Sequence, residues 1–258
     1  MTTTVPQELS SMLLGQAFLN DAENRQETLA AYKEQVQQYV AIENNVAVLS
    51  DFSTNSSYIY AGAFGHFFGL PQSGTIIESA FEDFIFNKIH PDDIAERHVL
   101  ELRYIQLQNS LPAHERIKYS TCCTLRALNP QGSYVPITHR MLYPKSLVNG
   151  SIWLALCLYA PAANNEPQKG INGRIINTET GEVLPVEAYS QYDRQLLSTR
   201  EAQVLALIAK GIASKEIAGQ LHISAYTVNR HRQNIISKMQ VANTAEAVKT
   251  ALMMGIIE

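Results

Sequence analysis

Asn229, Arg230 and Gln233 stand at i, i+1 and i+4 in the run SAYTVNRHRQNIISKM, residues 224–239. In a helix that spacing gathers the three on one side, away from Val228, Ile235 and Met239. The chemistry such a trio offers is planar hydrogen-bond recognition. A guanidinium matches the two acceptors on a guanine edge, and a carboxamide matches adenine's donor and acceptor, both in the major groove of duplex DNA. Ser224, Thr227, Arg232 and Lys238 flank the face, and their hydroxyls and cations can hold phosphates, setting register without reading sequence. Any solvated helix also shows polar residues, so the surrounding elements must decide.

Those elements are four short helices over 198–258. Ser198 and Glu201 form a capping box for the first, whose inward residues are Val204, Leu205, Leu207 and Ile208. Gly211 suits the left-handed position that ends it. A second helix starts at Ser214 and turns Ile217 and Leu221 inward. Ser224 caps the third, and Asn243 with Glu246 repeats the capping logic for the last. A short turn between the second and third would hold the polar face of the third proud of the rest, as a groove-reading helix requires.

With its spacing intact across about sixty residues, this tail closely resembles the LuxR-type helix-turn-helix domain of bacterial transcription regulators. The resemblance is carried by Arg200-Glu201, Val204-Leu205, Gly211, Lys215 to Ala218, Leu221, Ile223-Ser224, Thr227-Val228, His231, Asn234-Ile235, Lys238 and Ala247-Val248. It implies that the helix from Ser224 to Lys238 is the recognition helix, with Asn229, Arg230 and Gln233 at base edges. It puts Thr227, His231 and Lys238 on the DNA backbone, and the helix from Ala245 at a dimer contact. Two departures stand out. Thr244 replaces a usual Arg, which puts a stabilising or phosphate contact in question, and Ala213-Ser214 replaces Ser-Asn.

Net charge is −4, which averaged over the chain argues mildly against a polyanion partner. The distribution reverses that argument. From Ser198 onward seven basic side chains face four acidic ones, while the remainder holds thirteen against twenty. A basic tail on an acidic body can lie on DNA and leave the body in solvent.

Upstream, residues 23–44 read as a polar helix with Leu29, Tyr32, Val36, Tyr39 and Val40 at helical spacing, either packed on its own domain or leading into a dimer. Strand-like NVAVLSDFS and SYIYAG follow, then a helical stretch from Ile76 to Ser110 broken at His90-Pro91-Asp92-Asp93, a helix start. Three strand runs close the region, turning at Asn129 to Gly132 and at Asn149-Gly150. The order predicts an antiparallel sheet with helices on one face, and over 45–161 it resembles a PAS domain, which implies a sensor or dimerisation module, sometimes around a small ligand. Residues 162–195 read as linker, interrupted by a hairpin in RIINTETGEVLPV. The expected fold is therefore α+β: a helical lead-in over 1–44, a PAS-like antiparallel sheet with helices over 45–161, the linker, and an all-α four-helix domain over 196–258. Neither a phosphoacceptor receiver domain nor an acyl-homoserine-lactone pocket is resembled.

Other chemistry finds little support. His66 sits among Phe64, Phe67 and Phe68 and reads as a packed histidine before a haem or metal ligand. His90 has a capping role, and Asp92 and Asp93 a dipole role. His139 and Arg140 have no nucleophile at readable spacing. Cys122 and Cys123 alternate across a strand, so at most one faces a cavity; with Cys157 they read as reduced core thiols. No zinc spacing, no membrane-length apolar run and no secretory leader is evident, and no cofactor is indicated. The expectation is a cytoplasmic bacterial transcription regulator, not an enzyme, that binds double-stranded DNA as a homodimer with salt-sensitive affinity. RNA polymerase and a small-molecule ligand of the PAS-like domain are admitted as partners. The alternative is a non-catalytic adaptor that binds proteins through the helical tail and the PAS-like domain.

Overall fold

The computed structural model describes residues 13–18, 25–71, 74–163, 170–191, 193–239 and 241–258. Residues 1–12 and 19–24 of the expected lead-in, and 164–169 of the expected linker, lie outside the described residues. The lead-in contains α1 (Arg25–Glu43), whose Val36 and Val40 are buried against Ala47, Tyr60 and Leu158.

One antiparallel sheet organises the next 130 residues or so. Its strands are β1 (Val46–Asp51), β2 (Ser56–Ala61), β3 (Thr75–Ile77), β4 (Tyr119–Leu128), β5 (Tyr134–Ser146), β6 (Ile152–Pro161) and β7 (Arg174–Asn177), in the order β3-β2-β1-β6-β5-β4-β7. Every residue of β1 is buried. Val46 and Val48 join the main core with Ile59, Tyr104 and Tyr159, while Ala47 and Leu49 meet α1 and Trp153 on the other face. A strand covered on both faces reads as an apolar run without alternation. The helices accordingly occupy both faces of the sheet, where one had been expected. Pro144 lies where the β5–β6 register shifts between Leu142 and Lys145, a place where a missing N–H donor costs no ladder bond.

Two stretches differ from expectation. Ile76, expected to open a helix, pairs with Tyr58 in β3. The β-branched Thr-Ile-Ile triad favours an extended edge, and three residues are too few to show a period. The hairpin inside the expected linker does form, with Asn177 N–H donating to Glu182 O and Leu184 N–H to Ile175 O. Its first strand, β7, also pairs along β4 and buries Ile175 completely, so this piece belongs to the sheet.

Between β2 and β4 lie α2 (Gly65–Phe68), α3 (Asp83–Phe86) and α4 (Pro91–Ser110). The start of α4 follows the predicted cap: the His90 ring accepts from Asp92 N–H at 3.3 Å, and Pro91 takes the first position. Beyond β7 come α5 (Val186–Ser190), α6 (Asp193–Leu196), α7 (Thr199–Ala209), α8 (Ser214–Gln220), α9 (Ala225–Met239) and α10 (Thr244–Met254). The last four form a helical unit with its own core of Val204, Leu205, Ile217, Val228, Ile235, Met239, Ala247 and Ala251.

This unit rests on α4. Val99 and Leu102 pack with Met254, Leu196 and Ile256. His98 Nε2 lies 2.9 Å from the Met239 carbonyl, and Arg103 grips Asp193 in α6, the short helix leading into the unit, through Nε and Nη2. Burial pulls the His98 imidazole below its ordinary value of 6.5, against the opposing pull of the Met239 carbonyl and of Glu101 and Glu246; Arg97 adds to the lowering. A base whose folded value is depressed binds fewer protons folded than unfolded, so its stabilising share is complete above the unfolded value and shrinks as pH falls below it. Urea unfolding midpoints taken between about pH 7.5 and about pH 5.5 should therefore fall more steeply for the wild type than for His98→Gln, which keeps an N–H donor without a titrating ring. Parallel slopes would show that His98 contributes nothing to the pH response.

Candidate nucleic-acid interface

The candidate face is built by the caps and turns around α9. Ser198 accepts from Glu201 N–H, while the Glu201 carboxylate accepts from Ser198 N–H at 2.8 Å, closing the predicted capping box of α7. Gly211 takes φ 77° just beyond that helix, a region an L side chain enters only with strain. The turn from α8 to α9 contains His222 at φ 52°, and the Arg200 guanidinium fastens it by donating to Leu221 O. Ser224 then caps α9 by accepting from Thr227 N–H at 3.0 Å, with the two hydroxyls 2.8 Å apart.

Val228, Ile235 and Met239 are fully buried, which fixes the rotation of α9 about its axis. Asn229, Arg230 and Gln233 are consequently all exposed on its outer side, as their spacing predicts. The five expected phosphate-side residues are more varied. Ser224 is exposed and Thr227 half-buried at the cap. Arg232 is held within the unit, donating to Ser214 Oγ at 3.1 Å and Thr244 Oγ1 at 3.3 Å. Thr244, the departure from the family pattern, thus receives a guanidinium where a second cation would repel it. Lys238 Nζ sits 2.7 Å from the buried Glu201 carboxylate with its own side chain 44% exposed. Burial alone would raise Glu201, but the Lys238 ammonium and the Ser198 donors hold it below the usual carboxylate range. His231 is half-buried, and its Nδ1 is enclosed without a hydrogen-bond partner among the described residues.

Residues that spacing did not single out also shape the molecule. Tyr226 lies on the outer side of α9 with the trio, at i, i+3, i+4 and i+7, a signal that was present in the sequence. In the sheet unit a buried polar group surrounds Arg97, which pairs with Glu101 at 2.9 Å; nearby, Tyr159 donates to Glu82 at 2.8 Å. Burial raises the Glu82 carboxyl despite the nearby Arg97 charge. The cavity beside this group measures about 20 Å³ and is lined by Phe52, Glu82, Arg97, Glu101, Tyr143 and Cys157. That is room for about one water molecule.

Structure corrects one histidine. His66 is exposed, its Nδ1 2.6 Å from Ala63 O, while Phe67 and Phe68 take the core positions beside it. A helix of four residues turns only part of its circumference inward, and His66 falls outside that arc. Cys123 and His139 prove to be neighbours, Sγ to Nδ1 3.7 Å, across the β4–β5 ladder. Burial pushes the Cys123 thiol up to about 12 and draws the His139 imidazole well down. Both members are held neutral, the opposite of what a thiolate nucleophile needs. Among the described residues no group of three His, Cys, Asp or Glu side chains is placed to hold a metal ion, and no helix is long and apolar enough to cross a membrane.

An antiparallel sheet unit with helices, carrying a compact four-helix unit that presents one helix edge-out, defines a class: a helix-turn-helix protein with an appended α+β domain. Residues 195–251 match the family described as bacterial regulatory proteins, luxR family, and the C-terminal unit is a LuxR-type helix-turn-helix domain. The chain is 48% identical over 60 residues to the uncharacterized response regulatory protein YgeK of Escherichia coli, spanning 23% of this chain and 41% of that protein. It is 41% identical over 64 residues to the response regulator protein VraR of Staphylococcus aureus, spanning 25% and 31%. The chain thus spans less than half the length of these curated relatives. Among solved structures, a Vibrio cholerae VqmA dimer is matched over 86% of this chain and 88% of that one, at 17% identity and TM-score 0.29. So loose an overlay fixes no detail of this fold.

Proposed function

We propose that the protein is a sequence-specific DNA-binding transcription regulator, non-catalytic and cytoplasmic, that binds duplex DNA as a homodimer under the control of its PAS-like sheet domain. One observation carries the reading: burial of Val228, Ile235 and Met239 turns Asn229, Arg230 and Gln233 outward together on the third helix of a LuxR-type domain. Those three read bases. Ser224, Thr227, His231, Arg232 and Lys238 follow the phosphates, Arg232 and Lys238 with the donors that Ser214, Thr244 and Glu201 leave free. A single helix covers only a few base pairs, so useful specificity needs a second copy. RNA polymerase is a partner of such a regulator once it is seated at a promoter. A small-molecule signal would enter near Arg97 and Glu82 by displacing side chains, since the cavity there is close to filled. An adaptor reading would need a row of apolar anchors on α9, and that face is polar except at Tyr226.

The test is gel-shift titration on duplex selected from a random library by the full-length protein. Arg230→Ala is expected to cost about 1–3 kcal/mol and to relax one base position, whereas Lys238→Ala weakens all sequences alike. Because Lys238→Ala also strips Glu201 of its cation, its unfolding midpoint is measured beside its affinity. Equal, sequence-blind losses from the two variants would remove the base-reading role.

A further inference from the structure

Tyr226 is the large apolar side chain most at odds with its surroundings. It is 78% exposed, on the second residue of α9, and its hydroxyl makes no hydrogen bond among the described residues. Its neighbours on the same face are Asn229, Arg230 and Gln233, all exposed and polar. An isolated aromatic within a polar face neither serves the core, which is sealed by Val228 on the opposite side, nor forms an apolar patch for a protein partner. Along the helix, Tyr226 stands about 4.5 Å before Asn229 and about 10.5 Å before Gln233, at 1.5 Å per residue. Base pairs repeat at about 3.4 Å, so the first interval is close to one base-pair step and the whole face covers about three. In major-groove recognition it is the N-terminal part of the reading helix that meets base edges. The apolar feature available there is the thymine 5-methyl group, which takes apolar rather than hydrogen-bonding contact.

We propose that Tyr226 is a fourth specificity-determining residue, its ring packing on a thymine methyl at the outer end of the half-site, one step beyond the pair read from Asn229. This rests on the DNA-reading function proposed above. It distinguishes thymine from uracil by the methyl alone, a discrimination that the polar trio cannot make.

The experiment uses the full chain and the duplex it selects from a random library, with each thymine of the half-site replaced in turn by deoxyuridine and affinity read by fluorescence anisotropy. For the wild type, one deoxyuridine position should weaken binding on the order of fivefold to tenfold, the others much less. Tyr226→Ala should bind the thymine and deoxyuridine duplexes equally, and Tyr226→Phe, which keeps the ring, should retain the penalty. A wild type indifferent to every deoxyuridine, or a Tyr226→Ala that keeps the penalty, overturns the inference while leaving the trio intact. A uniform loss in Tyr226→Ala across all sequences makes Tyr226 a phosphate contact and also overturns it. Failure of the library to yield any preferred sequence brings down the DNA-reading function itself, and this assignment with it.

Discussion

Arg126→Ala is expected to lower the unfolding free energy by about 3 kcal/mol. The reason lies on the other side of the contact. Asp93, in the first turn of α4, is almost completely buried and accepts from the Arg126 backbone N–H at 2.6 Å, from Nε of the same residue at 3.1 Å and from Nη2 at 2.5 Å. Removing the guanidinium leaves a carboxylate sealed between α4 and β4 with one backbone donor and the helix dipole as its remaining support. Breaking a buried pair from one side costs about 3–5 kcal/mol, and the surviving N–H bond argues for the lower end. Asp93→Asn should cost less, because the Arg126 side chain is 44% exposed and can return to water. Urea unfolding of both variants tests the asymmetry. Equal losses, or a loss below about 1 kcal/mol for Arg126→Ala, would mean that water replaces the guanidinium and the latch between helix and sheet is weak.

The Asp93 contact shows why parts of this protein were legible in the sequence and others were not. Asp92 and Asp93 were readable as first-turn acids because a helix start is a local event, written within four residues. The same holds for the box of Ser198 with Glu201, the cap at Ser224, the Asn149-Gly150 turn and the outward trio on α9. What Asp93 bonds to lies 33 residues away on strand β4, and no spacing rule reaches that far. His98 with the Met239 carbonyl and Cys123 with His139 were hidden for the same reason. The pairing of β7 with β4 was hidden because the flanks of the hairpin are Gly- and Asn-rich, which marks turns without saying whether the strand between them finds a sheet edge. His66 was misread because aromatic neighbours in sequence need not be neighbours on one side of a short helix.

Position along α9 also decided more than residue type. Seen as charges, Arg230, Arg232 and Lys238 form one basic helix. In the folded chain only Arg230 faces outward without a polar contact that fastens it. Arg232 ties α9 to the starts of α8 and α10, and Lys238 neutralises Glu201 beneath α7. The two tethered cations keep the reading face in register with its own domain. A groove-reading helix needs that rigidity, since a loosely held side chain loses discrimination before it loses affinity.

Arg103→Ala is expected to cost about 3–4 kcal/mol and to loosen the helical unit from the sheet unit. Asp193 is the buried partner, its side chain only 4% exposed, and it takes Nε on Oδ1 at 3.2 Å and Nη2 on Oδ2 at 2.6 Å in a bidentate grip across 90 residues of sequence. A bidentate guanidinium–carboxylate pair is among the stronger polar contacts a protein makes, and Lys cannot reproduce its fork. Asp193→Ala should be the milder variant, because Arg103 is 18% exposed and can solvate part of its charge, whereas Asp193 stripped of Arg103 cannot. The double variant should therefore resemble Asp193→Ala, giving a large coupling in the thermodynamic cycle. Other contacts between the units include the apolar seam of Val99 and Leu102 with Met254, the His98 bond to Met239 O and the exposed Lys249–Asp92 pair at 4.0 Å. With the grip gone, calorimetry should resolve two transitions where the wild type should give one, the helical unit no longer melting with the sheet. A single undivided transition in Arg103→Ala, or additive losses in the double variant, would show that the seam alone joins them.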